Sequence, residues 1–212
     1  MIRSVVFDIG DVICRWDPRV WLRHRFGEEL GPRMLEIVMG SALWKEKVDR
    51  GTMPEEAFFR LRREEYPELA AEIAAVEEEW KEILPPKQDT EDLIRRLKKA
   101  GYGIYYLSNF PEKTFCYVWE RTPASRLMDG GVVSWRERLV KPEPAIYRLL
   151  LDRYGLRGEE TVFTDDTPVN VEGARAAGLF AWHFTGAAGF ERYLREELGL
   201  VFPSCNPQGE TV

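Results

Sequence analysis

The stretch Ser4-Val5-Val6-Phe7-Asp8-Ile9-Gly10-Asp11-Val12 decides how the rest of the chain is read. Its first four residues are short on polar alternation, and β-branched and aromatic residues dominate them. Such a run suits a strand covered on both faces, the situation of a parallel sheet. Three later runs have the same character: Gly103-Ile104-Tyr105-Tyr106-Leu107, Thr161-Val162-Phe163 and Leu179-Phe180-Ala181-Trp182. Helical patterns separate them. Residues 89–100 read as a helix with Asp89 as N-cap, Leu93, Ile94 and Leu97 on one face, and Gly101 as the stop. Residues 143–154 carry Ile146, Leu149 and Leu150 on one face and end at Gly155, and residues 168–177 begin on a proline and end at Gly178. Strands alternating with helices predict right-handed βαβ units, and so an α/β fold with a doubly wound, Rossmann-like parallel sheet.

Residues 16–84 break that rhythm. They offer no convincing strand, and Trp21, Leu22, Met34, Leu35, Ile37, Val38, Phe58, Phe59, Leu61 and Trp80 fall at helical spacings. Pro18, Gly31-Pro32, Gly51, Pro54 and Pro67 divide the segment, and Pro85-Pro86 closes it. The expectation is an all-helical cap over 16–84, inserted into an α/β core of 1–15 and 85–200, with the aromatic residues mainly forming the cap's own core. The tail, 201–212, holds Pro203, Asn206, Pro207 and Gly209 and is expected to be poorly ordered.

Composition narrows the function. The 212 residues are 44% apolar, enough for a core without disulfides or structural metal, and carry a net charge of −6. The basic clusters at 60–63 and 95–99 are interleaved with acids or leucines and read as solvated helix faces, so no nucleic-acid partner is expected. The first apolar run is too short for a signal peptide or a membrane span, so no membrane partner is expected either. Cys14, Cys116 and Cys205 form no paired spacing, which fits a cytoplasmic location. With only His24 and His183, a three-histidine zinc site is excluded and a Ser-His-Asp triad has few candidates.

In an open α/β sheet, ligands bind beyond the carboxyl ends of the strands. There the sequence places Asp8-Ile9-Gly10-Asp11 after the first strand, Ser108-Asn109 after the second and Asp165-Asp166 after the third, while Lys141-Pro142 precedes a helix. Each has an ordinary structural explanation: a loop aspartate, turn residues, acids near a helix N-terminus, a loop lysine. As an ordered set they have a chemistry. Clustered carboxylates need a divalent cation, and oxygen ligands suit magnesium. Lys141 would offset phosphate charge, Ser108 and a backbone N–H would orient its oxygens, and Asp8 could attack phosphorus to form an aspartyl-phosphate.

These motifs resemble those of the haloacid dehalogenase-like hydrolases, which carry a nucleophilic Asp, a Ser or Thr, a Lys and an acidic pair in that order. Here they are Val5-Val6-Phe7-Asp8-Ile9-Gly10-Asp11-Val12, Leu107-Ser108-Asn109, Val140-Lys141-Pro142-Glu143-Pro144 and Val162-Phe163-Thr164-Asp165-Asp166-Thr167-Pro168-Val169-Asn170. The details look most like the branch of bacterial glucose-1-phosphatase-like sugar-phosphate phosphatases, where a helical insertion lies between the first two motifs. The resemblance implies a magnesium-dependent phosphatase acting on small phosphorylated metabolites, sugar phosphates among them. It implies Asp8 as nucleophile and metal ligand, the Gly10 carbonyl and Asp166 as further ligands, and Asp165 supporting them. Ser108 and the Asn109 backbone would hold the phosphoryl group, and Lys141 would bridge it to Asp8.

Most phosphatases of this family have an acid–base aspartate two residues after the nucleophile, where this chain has Gly10. General acid–base help is worth about 10²–10⁴-fold, so its loss should slow poor leaving groups most. Asp11, one residue further, is a candidate substitute acid, although consecutive residues point in different directions. Three other readings follow. A receiver domain has its acidic pair first, not last. A haloacid dehalogenase uses a nucleophilic Asp without magnesium. A non-catalytic phosphate-binding module would also tolerate Gly10. Arg15, Trp16 and Asp17, just past the first motif, are candidates for substrate contact and equally for surface or hinge roles, and His183 reads as structural.

Overall fold

Alternate side chains of the first strand meet two different helical layers, which is why its sequence lacks polar alternation. The computed structural model describes residues 1–204. Strand β1 (Ser4–Phe7) is followed by α1 (Pro18–Ile37), α2 (Glu55–Glu65) and α3 (Ala70–Glu79). Then come α4 (Gln88–Lys99), β2 (Gly103–Ser108), α5 (Glu112–Arg121), β3 (Gly130–Val133) and α6 (Ser134–Glu137). Helix α7 (Pro144–Tyr154), β4 (Thr161–Asp165), α8 (Pro168–Ala176), β5 (Phe180–His183) and α9 (Ala187–Glu196) complete the core.

The five strands form one sheet in the order β3-β2-β1-β4-β5, and every neighbouring pair is parallel. Val5 and Phe7 pack with Leu93 and Leu97 of α4 and Phe190 and Leu194 of α9. Val6 turns to the other side, with Ile146, Tyr147 and Leu150 of α7 and Val171 and Ala174 of α8. The chain leaves β1 toward β2 on one side and reaches β4 on the other. The order therefore reverses at β1, and a crevice opens beyond its carboxyl end.

One strand, β3, has no counterpart among the runs singled out in the sequence, and two local expectations need correction. Helix α4 starts at Gln88, so Asp89 lies inside the first turn, where its carboxylate accepts from the Thr90 N–H at 3.0 Å rather than capping the helix. The cause is next door: the Lys87 N–H donates to the Ile13 carbonyl at 2.7 Å, which fixes the chain just before the helix. Phe202, in the tail expected to be poorly ordered, is buried, with the guanidinium groups of Arg195 and Arg96 at 3.9 and 5.7 Å from its ring. Burying a phenylalanine stabilises by about 1.5–3 kcal/mol, enough to hold the chain locally. Cys205 and the remaining tail residues lie outside the described residues.

Between β1 and α4 the described chain contains no strand. Helix α1 is broken at Gly27, whose φ of 84° lies in the region that favours glycine. A π-helical turn, Trp44–Val48, precedes α2. Trp44 sits at the centre of this region, with its ring centroid 5.0 Å from Phe58, 5.9 Å from Phe59 and 5.3 Å from Trp80. The helical region leaves and rejoins the sheet domain through two adjacent segments, where the Arg15 N–H donates to the Pro85 carbonyl at 2.8 Å. Among the described residues no helix is long and apolar enough to cross a membrane.

Candidate active site

The four sequence motifs meet beyond the carboxyl end of β1. Asp8, buried, is the first residue after β1. Ser108, the last residue of β2, donates from Oγ to Asp8 Oδ1 at 2.6 Å. Lys141 Nζ lies 2.8 Å from Asp8 Oδ1 and donates to Asp165 Oδ2 at 2.5 Å. Asp165 is the last residue of β4 and is fully enclosed, so its charge must be matched. It accepts from the Thr167 N–H at 2.8 Å and from Asn170 Nδ2 at 3.0 and 3.1 Å as well as from Lys141. The Asn109 side chain holds the backbone of Lys141: Nδ2 donates to its carbonyl at 3.0 Å, and Oδ1 accepts from its N–H at 2.8 Å.

Asp166 is half-buried, and one carboxylate oxygen from each of Asp8, Asp165 and Asp166 lies within 4.8 Å of the others. Burial is the main force on Asp8. It pushes the carboxyl up to about 7, with Asp165 and Asp166 adding to the rise and Lys141 opposing it. Burial alone would lower Lys141, but Asp165 and Asp8 outweigh it and keep the ammonium charged. Asp166 is raised by burial and by Asp165. Three carboxyls against one ammonium leave an excess of negative charge facing the crevice.

A cavity of about 420 Å³ opens above these groups. This is within the usual size of small-molecule sites. Asp8, Gly10, Ser108, Asn109, Lys141 and Asp166 line its floor side, and Trp16, Met39, Trp44, Trp80 and Phe110 supply much of the remaining wall. The cap aromatics thus serve both as core and as cavity lining. Of the three residues past the first motif, Trp16 lines the cavity, Arg15 is exposed, and Asp17 caps α1 through the Val20 N–H at 3.1 Å. His183 Nε2 contacts the Asp166 carbonyl at 2.9 Å, a structural contact behind the acidic pair. Asp11, with a φ of 50°, turns its carboxylate to Lys87 at 2.9 Å, and the same ammonium donates to its carbonyl at 2.6 Å. Asp11 is not part of the cavity wall.

Sequence reasoning missed Asp49, which lines the cavity from the helical region. It also assigned no role to Asn170, although that residue closes the hydrogen bonding of Asp165. Spacing offered a signal for Asn170, five residues after Asp165 in the same motif. For Asp49 there was none, because its neighbours in space come from distant segments.

Comparison with known proteins places these observations. The model of the haloacid dehalogenase-like hydrolases matches residues 2–178. The sesquiterpene phosphatase astK of Aspergillus oryzae is 27% identical over 197 residues, covering 93% of this chain and 97% of that protein. The drimenol cyclase drtB of Aspergillus calidoustus is 25% identical over 215 residues, covering 97% of this chain but 39% of that protein. A HAD-family enzyme from Bacteroides thetaiotaomicron, solved as a magnesium complex, has a TM-score of 0.69 at 20% identity, over 92% of this chain and 99% of that one.

Proposed function

The chain belongs to the haloacid dehalogenase-like hydrolase family, and from that premise we propose that it is a magnesium-dependent phosphatase working through an aspartyl-phosphate on Asp8. The observation that carries this reading is the Lys141 ammonium held between Asp8 and Asp165, with Asp166 alongside. A dehalogenase needs no such metal-ready acidic group.

The donor set fits magnesium: all oxygen, partly buried, and carrying excess negative charge. Asp8, Asp166 and the Gly10 carbonyl are the residues we assign to hold it, with Asp165 fixed behind them by Lys141, Thr167 and Asn170. Bound there, magnesium would neutralise phosphate charge and polarise the phosphoryl group. Ser108 and Lys141 both engage Asp8 Oδ1, so Oδ2 is the oxygen we assign to attack. The bond from Oδ2 to phosphorus forms as the ester P–O bond breaks, and water then cleaves the aspartyl-phosphate. Lys141, Ser108 and the Asn109 backbone would steady the phosphoryl oxygens.

For the substrate's organic part, the apolar walls outweigh the sugar-phosphate resemblance. Trp16, Met39, Trp44, Trp80 and Phe110 suit a hydrocarbon better than a ring of hydroxyls, which would lose hydrogen bonds to water on entering. The sesquiterpene phosphatase relative points the same way. We therefore infer a small monophosphate ester with an apolar, terpenyl-like alcohol. The test is phosphate release from farnesyl monophosphate and glucose 1-phosphate, with magnesium and with a chelator. Magnesium-dependent release that favours farnesyl monophosphate and vanishes in Asp8→Asn is expected. Persistence in that variant would refute the nucleophile. Chelator-resistant halide release from 2-haloacids would favour the dehalogenase reading, and phosphate binding without turnover the binding module.

A further inference from the structure

The phosphatase reading leaves one proton unaccounted for. An alkyl alcohol leaves phosphorus as a strongly basic alkoxide, and Gly10 carries no acid. Asp11 is neutralised by Lys87 and lies outside the cavity wall. Resting on that reading, we propose that Asp49, supplied by the helical cap, is the proton donor to the departing oxygen.

Asp49 shares the cavity wall with Asp8, Ser108 and Lys141. It is held there by the sheet domain and not by the cap alone. Ser134 donates from Oγ to the Asp49 carbonyl, and the same Oγ accepts from the Phe110 N–H at 3.0 Å, which ties Asp49 to the segment just after Ser108. The next residue, Arg50, donates to both carboxylate oxygens of Glu143, at 2.5 and 3.1 Å, and to the Arg138 carbonyl at 3.0 Å. Glu143 lies two residues after Lys141 and also accepts from the Val140 N–H at 3.2 Å. The residue after that, Gly51, rests on the Trp135 backbone. Three consecutive residues are thus tied to the sheet side of the crevice through Ser134, Glu143 and Trp135, which holds Asp49 beside the groups of the floor.

The surroundings of Asp49 favour the protonated carboxyl. Burial pushes the carboxyl well above the ordinary carboxylate range, and Glu55 of α2 adds to the rise. A hydrogen bond from the Trp44 side chain, Lys45 beside it and Lys141 across the cavity act in the opposite sense without cancelling the effect of burial. In the proposed first step the carboxyl, in its protonated form, is the acid. As the Asp8–phosphorus bond forms and the ester P–O bond breaks, its proton passes to the leaving oxygen, releasing a neutral alcohol. Asp49 is left as the carboxylate. It regains a proton from the water that cleaves the aspartyl-phosphate, whose hydroxyl goes to phosphate.

Leaving-group dependence tests this. With enzyme in excess and magnesium present, single-turnover alcohol release is measured for benzyl phosphate and for 4-nitrophenyl phosphate, whose leaving group needs no proton. In Asp49→Asn, benzyl alcohol release should fall by about 10²–10⁴-fold. Release of 4-nitrophenol should change by less than about threefold, which also shows that the variant is folded. Equal loss on both substrates, or no loss on either, overturns the role of Asp49. The wild-type enzyme supplies a second measurement: across a series of phosphate esters its rate should depend only weakly on leaving-group basicity, and a steep dependence overturns the proposal without any variant. Failure of the wild type to hydrolyse either ester would instead refute the phosphatase reading.

Discussion

Replacing Gly51 by alanine should cost this protein more stability than an equivalent change elsewhere, and the excess can be worked from two distances. Gly51 has a φ of +73°, and a Cβ there would lie 2.3 Å from the Trp135 carbonyl oxygen and 2.7 Å from its Cα. The left-handed backbone alone costs a residue bearing a Cβ about 1–2 kcal/mol. Overpacking adds about 1–3 kcal/mol, and here the obstacle is backbone, which cannot rotate aside as a side chain would. The total for Gly51→Ala is then about 2–5 kcal/mol. Gly155→Ala is the matched control: its φ is +61°, it ends α7, and nothing lies within 4 Å of the added carbon. Only the backbone contribution applies there, about 1–2 kcal/mol. Urea unfolding of both variants, compared at equal m, isolates the contact as the difference between them. Gly51→Ala should also slow alkyl phosphates, because relief of the clash moves Asp49, whereas Gly155→Ala should not. Equal destabilisation of the two variants would refute the claim that the cap loop bears on Trp135.

Magnesium should raise the melting temperature, with a stabilisation of about 2.7 kcal/mol at a hundredfold excess over its dissociation constant, and Asp166→Asn should remove most of that gain in a thermal scan. A rise of the same size in the variant would take Asp166 out of the ligand set. Glu191 tests the packing of the tail. Hydrogen bonds from Arg96, aided by Arg195, outweigh burial and hold its carboxyl below the usual 4.5. A depressed acid contributes stability that is present above its unfolded pKa and lost as the pH falls through the folded one. The stability gap between wild type and Glu191→Gln should therefore be widest near pH 7 and close as the pH drops below about 4.5. An equal gap in urea melts at pH 7 and pH 4 would remove the ionic contribution.

Much of the fold was legible because both faces of the sheet are covered, so the apolar runs at β1, β2, β4 and β5 stand out from the amphipathic helices beside them. β3 was not, for a local reason. Its Gly130 and Gly131 carry little strand preference, and they are small because the rings of Tyr154 and Tyr106 occupy the space where their side chains would be. That requirement is tertiary and leaves no pattern in the sequence. The positions of Asp8, Ser108, Lys141, Asp165 and Asp166 could be read because each follows a strand or precedes a helix in an order with chemical sense. Asp49 could not be, since it acquires its place only when Ser134, Glu143 and Trp135 meet the loop around it. Sequence likewise left Asp11 open as a spare acid, and its pairing with Lys87 depends on the chain returning from the cap at residue 87.

The chain crosses between its two parts only at 13–15 and 85–87, side by side, which makes the helical piece a natural unit of exchange. On the phosphatase reading, exchanging such a piece would change the alcohol accepted while leaving the phosphorus chemistry intact. With Asp49 as the proposed proton donor the exchange carries a condition. A replacement piece lacking an acid at that position would yield a hybrid that still cleaves activated esters and stalls on ordinary ones, so the choice of substrate and the power to release it would travel together.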